Sequence, residues 1–315
     1  MSLFSGVPPI DIRLFILFAL SGVLSYVLMP LCYLAAGAIG AYDQPGDERR
    51  VNTEPTPRLG GLGFFAAFFI VILLTPGAVS GAAPALLVGG ALLVALGVSD
   101  DAISLPPPLK LVGQIAAAMI ALSFIEVPSS FSFFGLFAIS LPGILGYLFS
   151  LFRIVFTINA VNFSDGLDGL AAGLSATALI AIAVFAAAGG RFDGAIPALF
   201  LTFSLFGFLP FNKHKAKMFM GDCGSQFLGY AIAVLSISAS PSGSFTLETS
   251  LFIAIPVIDT WFSVARRLFH GKSPFSADKG HLHHLLLAKG LSHEVAVRVL
   301  VSLGALIALL TLLFS

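Results

Sequence analysis

Apolar residues come in long blocks along this chain, and the polar positions gather in the short gaps between them. A helix that crosses a bilayer needs about 20 consecutive, mostly apolar residues. Ten segments meet that requirement, near 12–38, 60–79, 82–98, 109–126, 141–161, 169–189, 195–211, 223–240, 248–268 and 294–314. The gaps hold chain breakers: Thr75-Pro76-Gly77, Leu105-Pro106-Pro107-Pro108, Gly189-Gly190 and Pro241-Ser242-Gly243. The first block is too long for the apolar region of a cleaved signal and reads as a retained anchor. A further apolar patch, Phe131 to Ile139, is too short to span and is expected along the interface or lining a groove. There is no internal repeat, low-complexity tract or soluble module. The pattern predicts an all-α, polytopic integral membrane protein of about ten transmembrane helices, forming a single domain over 1–315.

Composition agrees. Hydrophobic residues make up 57% of the chain and charged residues 10%, against about 25% charged in a soluble domain. So few charges cannot cover a surface in water, and the mean hydropathy is +1.00. The formal net charge is zero, and no nucleic acid is expected as a partner. The two cysteines, Cys32 and Cys223, have no metal-ligand spacing and read as small buried apolar residues.

How the charges are distributed says more than their total. The loops alternate between two sides. One side comprises 39–59, 99–108, 162–168, 212–222 and 269–293; with the adjoining span ends it carries 12 of the 16 Lys and Arg. The other side, with the N-terminus, carries only Arg13 and Arg191, while Arg153 and Arg298 fall inside spans. This bias places the basic side in the cytoplasm. All six histidines and Asp100, Asp101, Asp165, Asp168 and Asp222 lie on or near that side. Chemistry is therefore expected at the cytoplasmic face.

Four clusters there carry candidate function, and a fifth could assist. Asp100 and Asp101 are adjacent carboxylates at a membrane boundary, where they repel each other and lose hydration unless a cation or a phosphate-bearing partner shares the site. Lys110 follows the proline run and could hold a phosphate or snorkel at the interface. In Asn159 to Gly169, two asparagines and two aspartates interrupt an apolar pattern, with a glycine after each aspartate. Asp165 and Asp168 share a face if that segment is helical, and oxygen donors of this kind suit a hard cation such as Mg²⁺. A capped helix start accounts for one aspartate, not for all four polar residues. In Asn212 to Ser225, Lys213, Lys215 and Lys217 approach Met220-Gly221-Asp222, and a carboxylate at the edge of an apolar helix is costly. In Ser273 to His284, His281, His283 and His284 fall within four residues; no cysteine or further carboxylate completes a zinc set, and phosphate contacts suit them better. The fifth, Arg49 to Gly61, is a proline-stiffened polar loop that reads equally as a linker or a substrate contact. Phosphate-binding Gly-Lys loops, dinucleotide fingerprints and nucleophile elbows are missing from the sequence.

Asp100-Asp101, Asn159 to Gly169, Phe219-Met220-Gly221-Asp222 and His281-Leu282-His283-His284, in this order, resemble the signatures of the polyprenyl-phosphate N-acetylhexosamine-1-phosphate transferases. The resemblance covers nearly the whole chain. Leu282, which interrupts the histidines, sets it apart from the branch that acts on UDP-MurNAc-pentapeptide. It is similar to the undecaprenyl-phosphate GlcNAc-1-phosphate transferase branch, which initiates cell-surface polysaccharides such as O-antigen. The resemblance implies transfer of a sugar-1-phosphate, by default GlcNAc-1-phosphate, from a UDP-sugar to undecaprenyl phosphate, with release of UMP. It implies Mg²⁺, with Mn²⁺ as an alternative, and allows a homodimer. It places the protein in the bacterial inner membrane, with the active site cytoplasmic and both termini periplasmic.

Residue by residue, the resemblance makes Asp222 the principal metal ligand and Asn162 the second. Asp100 becomes the candidate base or the group positioning the lipid phosphate, with Asp101 supporting. Lys110 would hold substrate phosphate, and Asp165 would lie beside the metal and diphosphate. Phe219 would stack on uracil, with Asn212 and Asp168 on the edges of the base. His281, His283 and His284 would contact the diphosphate or the sugar. Asp259 lies in an Ile-Pro-Val-Ile-Asp stretch that the family shares, without an assigned role. The rival reading is a lipid transporter, which predicts ionisable groups at mid-membrane; here they crowd one boundary, with Arg153, Asp259 and Arg298 as exceptions.

Overall fold

The computed structural model describes residues 12–44, 55–75, 80–241, 243–271 and 280–315. Arg49, Arg50, the Pro76-Gly77 turn and Ser273 to Lys279 lie outside the described residues.

The chain opens with α1 (Ile12–Ile39), whose outward face exposes Phe15, Val27, Leu31 and Leu34. A two-residue ladder follows, β1 (Tyr42–Asp43) with β2 (Thr56–Pro57). Next come α2 (Gly60–Leu74), α3 (Ala83–Ile103) and α4 (Pro107–Phe124). Pro107 and Pro108 open α4, where no amide hydrogen is needed for the first turn. A hairpin, β3 (Ser130–Phe133) and β4 (Phe137–Ser140), precedes α5 (Ile144–Phe163), α6 (Leu170–Ala188), α7 (Phe192–Asn212) and α8 (Gly221–Ala239). β5 (Ser244–Thr246) pairs in parallel with β3 and leads into α9 (Leu247–Leu251), α10 (Ala254–Phe269), α11 (Leu282–Ala288) and α12 (His293–Phe314).

Three quarters of the described residues are helical, so the all-α expectation holds apart from two small sheets. The apolar patch at 131–139 is the β3–β4 hairpin, with Leu136, Phe137 and Ile139 exposed. Among the described residues seven helices are long and apolar enough to cross a membrane: α1, α3, α4, α5, α6, α7 and α12. The expected span at 60–79 ends as a helix at Leu74. The one at 248–268 divides into α9 and α10, with Phe252 and Ile253 between them.

α8 is not among these seven. Every residue of it except Ser238 is buried, and it packs against α2, α3, α5, α6 and α7. A helix sheathed in protein does not meet lipid, so it can carry Ser225, Gln226 and Ser236 without penalty when they are hydrogen-bonded. Close packing within a bilayer relies on small residues. A Cβ on Gly61 would meet the backbone of Gly224, and one on Gly97 the backbone of Cys223. Cys32 and Cys223 are both buried free thiols.

Replacing Gly97 by valine should therefore destabilise by about 1–3 kcal/mol, the usual cost of overpacking against atoms that cannot move aside. Thermal unfolding in detergent should show a larger loss for Gly97→Val than for Val88→Ala, which truncates a half-exposed side chain on the same helix.

Candidate active site

The site begins with the N-terminus of α8. The first amides of a helix have no partner within it and attract negative charge. Here the partner comes from another helix: the Asp101 carboxylate accepts from Asp222 N–H at 3.0 Å and Cys223 N–H at 3.2 Å. Asp101 lies in the last turn of α3, which continues past the expected loop start at 99 to Ile103. Its side chain is fully buried, with Arg58 Nε 3.4 Å from Oδ1. The sequence reading that Asp101 supports Asp100 thus becomes more specific: it fixes the start of α8. Gly221 has φ +70°, and a Cβ there would run into the Arg58 carbonyl and the Asp101 carboxylate, so only glycine fits.

Asp222 is placed by this cap. Lys110 Nζ donates to Asp222 Oδ2 at 2.8 Å and to Asp100 Oδ2 at 3.0 Å. Asp100 Oδ1 accepts from Leu105 N–H at 2.8 Å, which closes the α3–α4 turn. Asn162 Nδ2 donates to Asp222 Oδ1 at 3.3 Å and to Ser225 Oγ at 2.8 Å, leaving its side-chain oxygen as the donor it can offer a cation. Arg58 Nη2 stands 3.9 Å from Asp222 Oδ1.

A buried polar chain extends inward through Gln226 and Gln114, which sequence reasoning did not single out, to Asn159, which it did. Gln226 Nε2 donates to Asp222 Oδ2 at 3.0 Å, Gln114 Nε2 to Gln226 Oε1 at 3.2 Å, and Asn159 Nδ2 to Gln114 Oε1 at 2.7 Å. Two glutamines inside otherwise apolar spans were the available signal. Arg58, from the loop left open between linker and contact, belongs to the site.

The segment after α5 differs from expectation. α5 ends at Phe163, and 164–169 is a series of turns, so Asp165 and Asp168 do not share a helical face. Asp165 faces the Asp222 group; burial, then the charge of Asp222, pushes its carboxyl up to about 7 against the pull of Arg58. Asp168 Oδ2 accepts from Ala216 N–H at 3.1 Å and lies 3.2 Å from His214 Nδ1. Asn212 is 2% exposed. Its amide braces two loops, accepting from Gly169 N–H at 3.1 Å and donating to the Met218 carbonyl at 3.1 Å. The Phe219 backbone is threaded between Pro57 and Gly60 by bonds of 2.8 and 3.0 Å, with its ring half-buried.

The histidines form a separate layer. Asp259 Oδ2 lies 2.9 Å from His281 Nδ1, and Asp259 Oδ1 accepts from Leu282 N–H at 2.7 Å, capping α11. Asp259 thus gains a role: it orients His281 from α10. The His281 and His283 rings are 5.7 Å apart, and those of His283 and His284 4.3 Å apart. His283 packs on Gly166. Burial, then the neighbouring His284 and His281, brings the His283 imidazole down to about 4, so it is neutral at pH 7.

The donors around Asp222 fit a hard divalent cation. Asp100, Asp101, Asp165 and Asp222 share two cations, Lys110 and Arg58, so negative charge is left over. The donors are carboxylate and amide oxygens.

Residues 83–240 match the family described as Glycosyl transferase family 4. The chain is 37% identical to a probable undecaprenyl-phosphate N-acetylglucosaminyl 1-phosphate transferase of Bacillus subtilis, over 93% of this chain and 82% of that protein. It is 36% identical to a decaprenyl-phosphate N-acetylglucosaminephosphotransferase of Mycolicibacterium smegmatis, over 93% of this chain and 79% of that one. It is 30% identical to an undecaprenyl-phosphate alpha-N-acetylglucosaminyl 1-phosphate transferase of Yersinia pestis, over 86% and 76%. With apolar helices built to cross a membrane several times and these likenesses over most of its length, the chain belongs to glycosyl transferase family 4.

Proposed function

We propose that this multi-pass membrane protein transfers a sugar-1-phosphate, by default N-acetylglucosamine-1-phosphate, from a UDP-sugar to a polyprenyl phosphate and releases UMP. The observation that carries the reading is the grip on Asp222: a carboxylate held at a buried helix start by Lys110 and Asn162, with surplus negative charge around it. The names of the relatives supply the donor sugar and the acceptor lipid.

In this reading an oxygen of the lipid phosphate attacks the β-phosphorus of the UDP-sugar. The new P–O bond forms as the bond to the bridging oxygen breaks, and that oxygen leaves with UMP. Asp222 and Asn162 would hold Mg²⁺, which when bound offsets charge on the diphosphate. Lys110 and Arg58 bind phosphate oxygens, and positioning with charge neutralisation supplies most of the catalysis. Asp100 orients Lys110 and remains the candidate base. The lipid phosphate already carries negative charge, so a base is not essential and one-step displacement suffices. Phe219 offers a ring for uracil. His281, held by Asp259, and the neutral His283 present N–H donors to the diphosphate or sugar, with His284 beside them. Counting α2, α8 and the α9–α10 pair with the seven apolar helices gives ten crossings. The site then faces the cytoplasm, with the start of α1 and the end of α12 on the opposite side.

A transfer assay in detergent, with radiolabelled UDP-GlcNAc and undecaprenyl phosphate, tests the reading. Lipid-linked product should require Mg²⁺ and fall by at least about 100-fold in Asp222→Ala, as expected when a principal charge-stabilising contact is removed. UMP release with a different UDP-sugar only would change the donor; no turnover of any UDP-sugar by folded protein would sink the reaction class.

The neutral His283 has a consequence for stability. Its imidazole titrates at about 4 in the folded chain against 6.5 ordinarily. The unfolded chain therefore binds the proton first, and stability is full above 6.5 and lost as pH falls toward 4, by about 3 kcal/mol for this group. The stability difference between wild type and His283→Gln, measured by unfolding at pH 7.5 and pH 5, should shift toward the variant in acid; a pH-independent difference would refute a buried neutral imidazole.

A further inference from the structure

The end of the helix bundle away from Asp222 carries an exposed apolar surface. α4 runs from Pro107, at the Lys110 end, to Phe124, and α5 runs back from Ile144 to Phe163, at the Asn162 end. Both are long and apolar enough to cross a membrane, so the β3–β4 hairpin that joins them lies at the membrane surface opposite the candidate active site. β4 is an edge of its sheet, and all four of its residues are exposed. Leu136 is 83% exposed, Phe137 58% and Ile139 52%. No charged residue occurs from Val127 to Phe152.

The polarity of this hairpin is graded, in the direction opposite to that of a hairpin standing in water. Its base is rich in serine: the Ser129 and Ser130 hydroxyls each donate to the Gly243 carbonyl at 3.2 Å, and Ser130 pairs with Ser140. Its tip, farthest from the strand ends, is Phe133-Phe134-Gly135-Leu136-Phe137. The Leu136 N–H donates to the Phe133 carbonyl at 2.9 Å, and Phe134 and Gly135 between them have φ +50° and +68°. Two positive φ values make a type I′ turn, which usually takes Asn-Gly. A bulky residue in the left-handed region is strained, so this turn keeps an aromatic ring at the tip at a conformational cost. The hairpin is also held firmly. β3 pairs in parallel with β5, Phe133 stacks on Phe137 at 4.4 Å, and Phe131 packs on Phe149 and Phe245.

We infer that the β3–β4 hairpin inserts its tip into the leaflet on the side away from Asp222, at the boundary between lipid headgroups and acyl chains. Lipid is the occupant that position and gradient favour. The hairpin's two ends join helices built to face lipid, and the exposed apolar strip continues from Phe137 and Ile139 onto Ile144, Leu145 and Leu148 of α5. An apolar patch of this extent marks an interaction surface, and aromatic residues concentrate at the headgroup boundary. The backbone limits the depth. Unpaired N–H and C=O groups along the β4 edge need water or headgroups, which the hydrocarbon core does not supply. The tip therefore rests in the boundary and does not cross it. Because β3 also pairs with β5, which leads into α9, this anchor holds the far ends of α4, α5 and α9 at one level of the membrane. The inference rests on the membrane-spanning fold and not on the transferase reading.

The test uses the full chain reconstituted in phosphatidylcholine vesicles. Trp261 is the one tryptophan, so Trp261→Phe removes the background and Leu136→Trp places a fluorescent reporter at the exposed tip. Phospholipid brominated on its acyl chains quenches tryptophan on contact. The reporter should lose most of its fluorescence when the bromine lies near the headgroup end of the chain and less when it lies at the chain end. Iodide on both sides of the membrane should leave it unchanged. Phe137→Trp, a closer match in shape, is a second reporter in the same background and should behave alike. Quenching by iodide and not by brominated lipid would place the tip in water and overturn the inference. Protection from both quenchers would mean that protein, such as a second copy of the chain, covers the tip, and would overturn it equally.

Discussion

The start of α8 governs the rest of this structure. A helix buried on all sides brings its unpaired N-terminal amides into a region where water cannot satisfy them. Asp101, reaching across from α3, accepts from two of those amides and so anchors one helix to another. The carboxylate meets the positive end of the helix, which offsets part of the cost of its burial. The same contact sets the position of Asp222, the next residue along. An anchoring bond and the proposed chemistry are therefore coupled: Asp222 cannot move without disturbing the amide that Asp101 holds.

Helix packing serves that constraint. Gly61 and Gly97 let α2 and α3 approach α8 to backbone distance. Around the opening, Lys110 and Arg58 are shared among carboxylates that would otherwise repel. The chain Gln226–Gln114–Asn159 continues the network to α4 and α5. Each amide in it is a donor to the next, so the orientation of every group follows from its neighbour. In a low-dielectric interior such a chain is stabilising only when complete.

Much of this was legible in the sequence. Apolar blocks located the helices, because lipid imposes a length and a composition on anything that faces it. The carboxylates and Lys110 stood out because charge at a membrane boundary is costly. What sequence could not give were features decided by partners distant along the chain. Asp101 as a cap for α8 is a relation between residues more than a hundred positions apart. The break between α9 and α10 and the turn geometry of 164–169 likewise depend on what packs there. Helical spacing suggested that Asp165 and Asp168 act together; the end of α5 at Phe163 sends them to different neighbours. The loop-bracing bonds of the Asn212 amide, to Gly169 and Met218, are another relation that spacing along the chain does not show.

That divergence at 164–169 gives the site its organisation. Asp165 belongs electrostatically to the Asp222 group, Gly166 gives room to His283, and Asp168 turns to His214. One six-residue segment thus borders three environments of different character: a carboxylate–cation network, a layer of buried imidazoles, and a mixed carboxylate–imidazole corner. Gly166 is the hinge of this arrangement in a steric sense, since any side chain there would displace His283. The imidazole layer is held from behind by Asp259, whose two oxygens are spent on His281 and the α11 amide. That carboxylate is buried in α10 and engaged through both oxygens, so it fixes the His281 ring. The Asp222 side of the segment thus holds the carboxylates shared between Lys110 and Arg58, and the other side the imidazoles with Asp259 behind them.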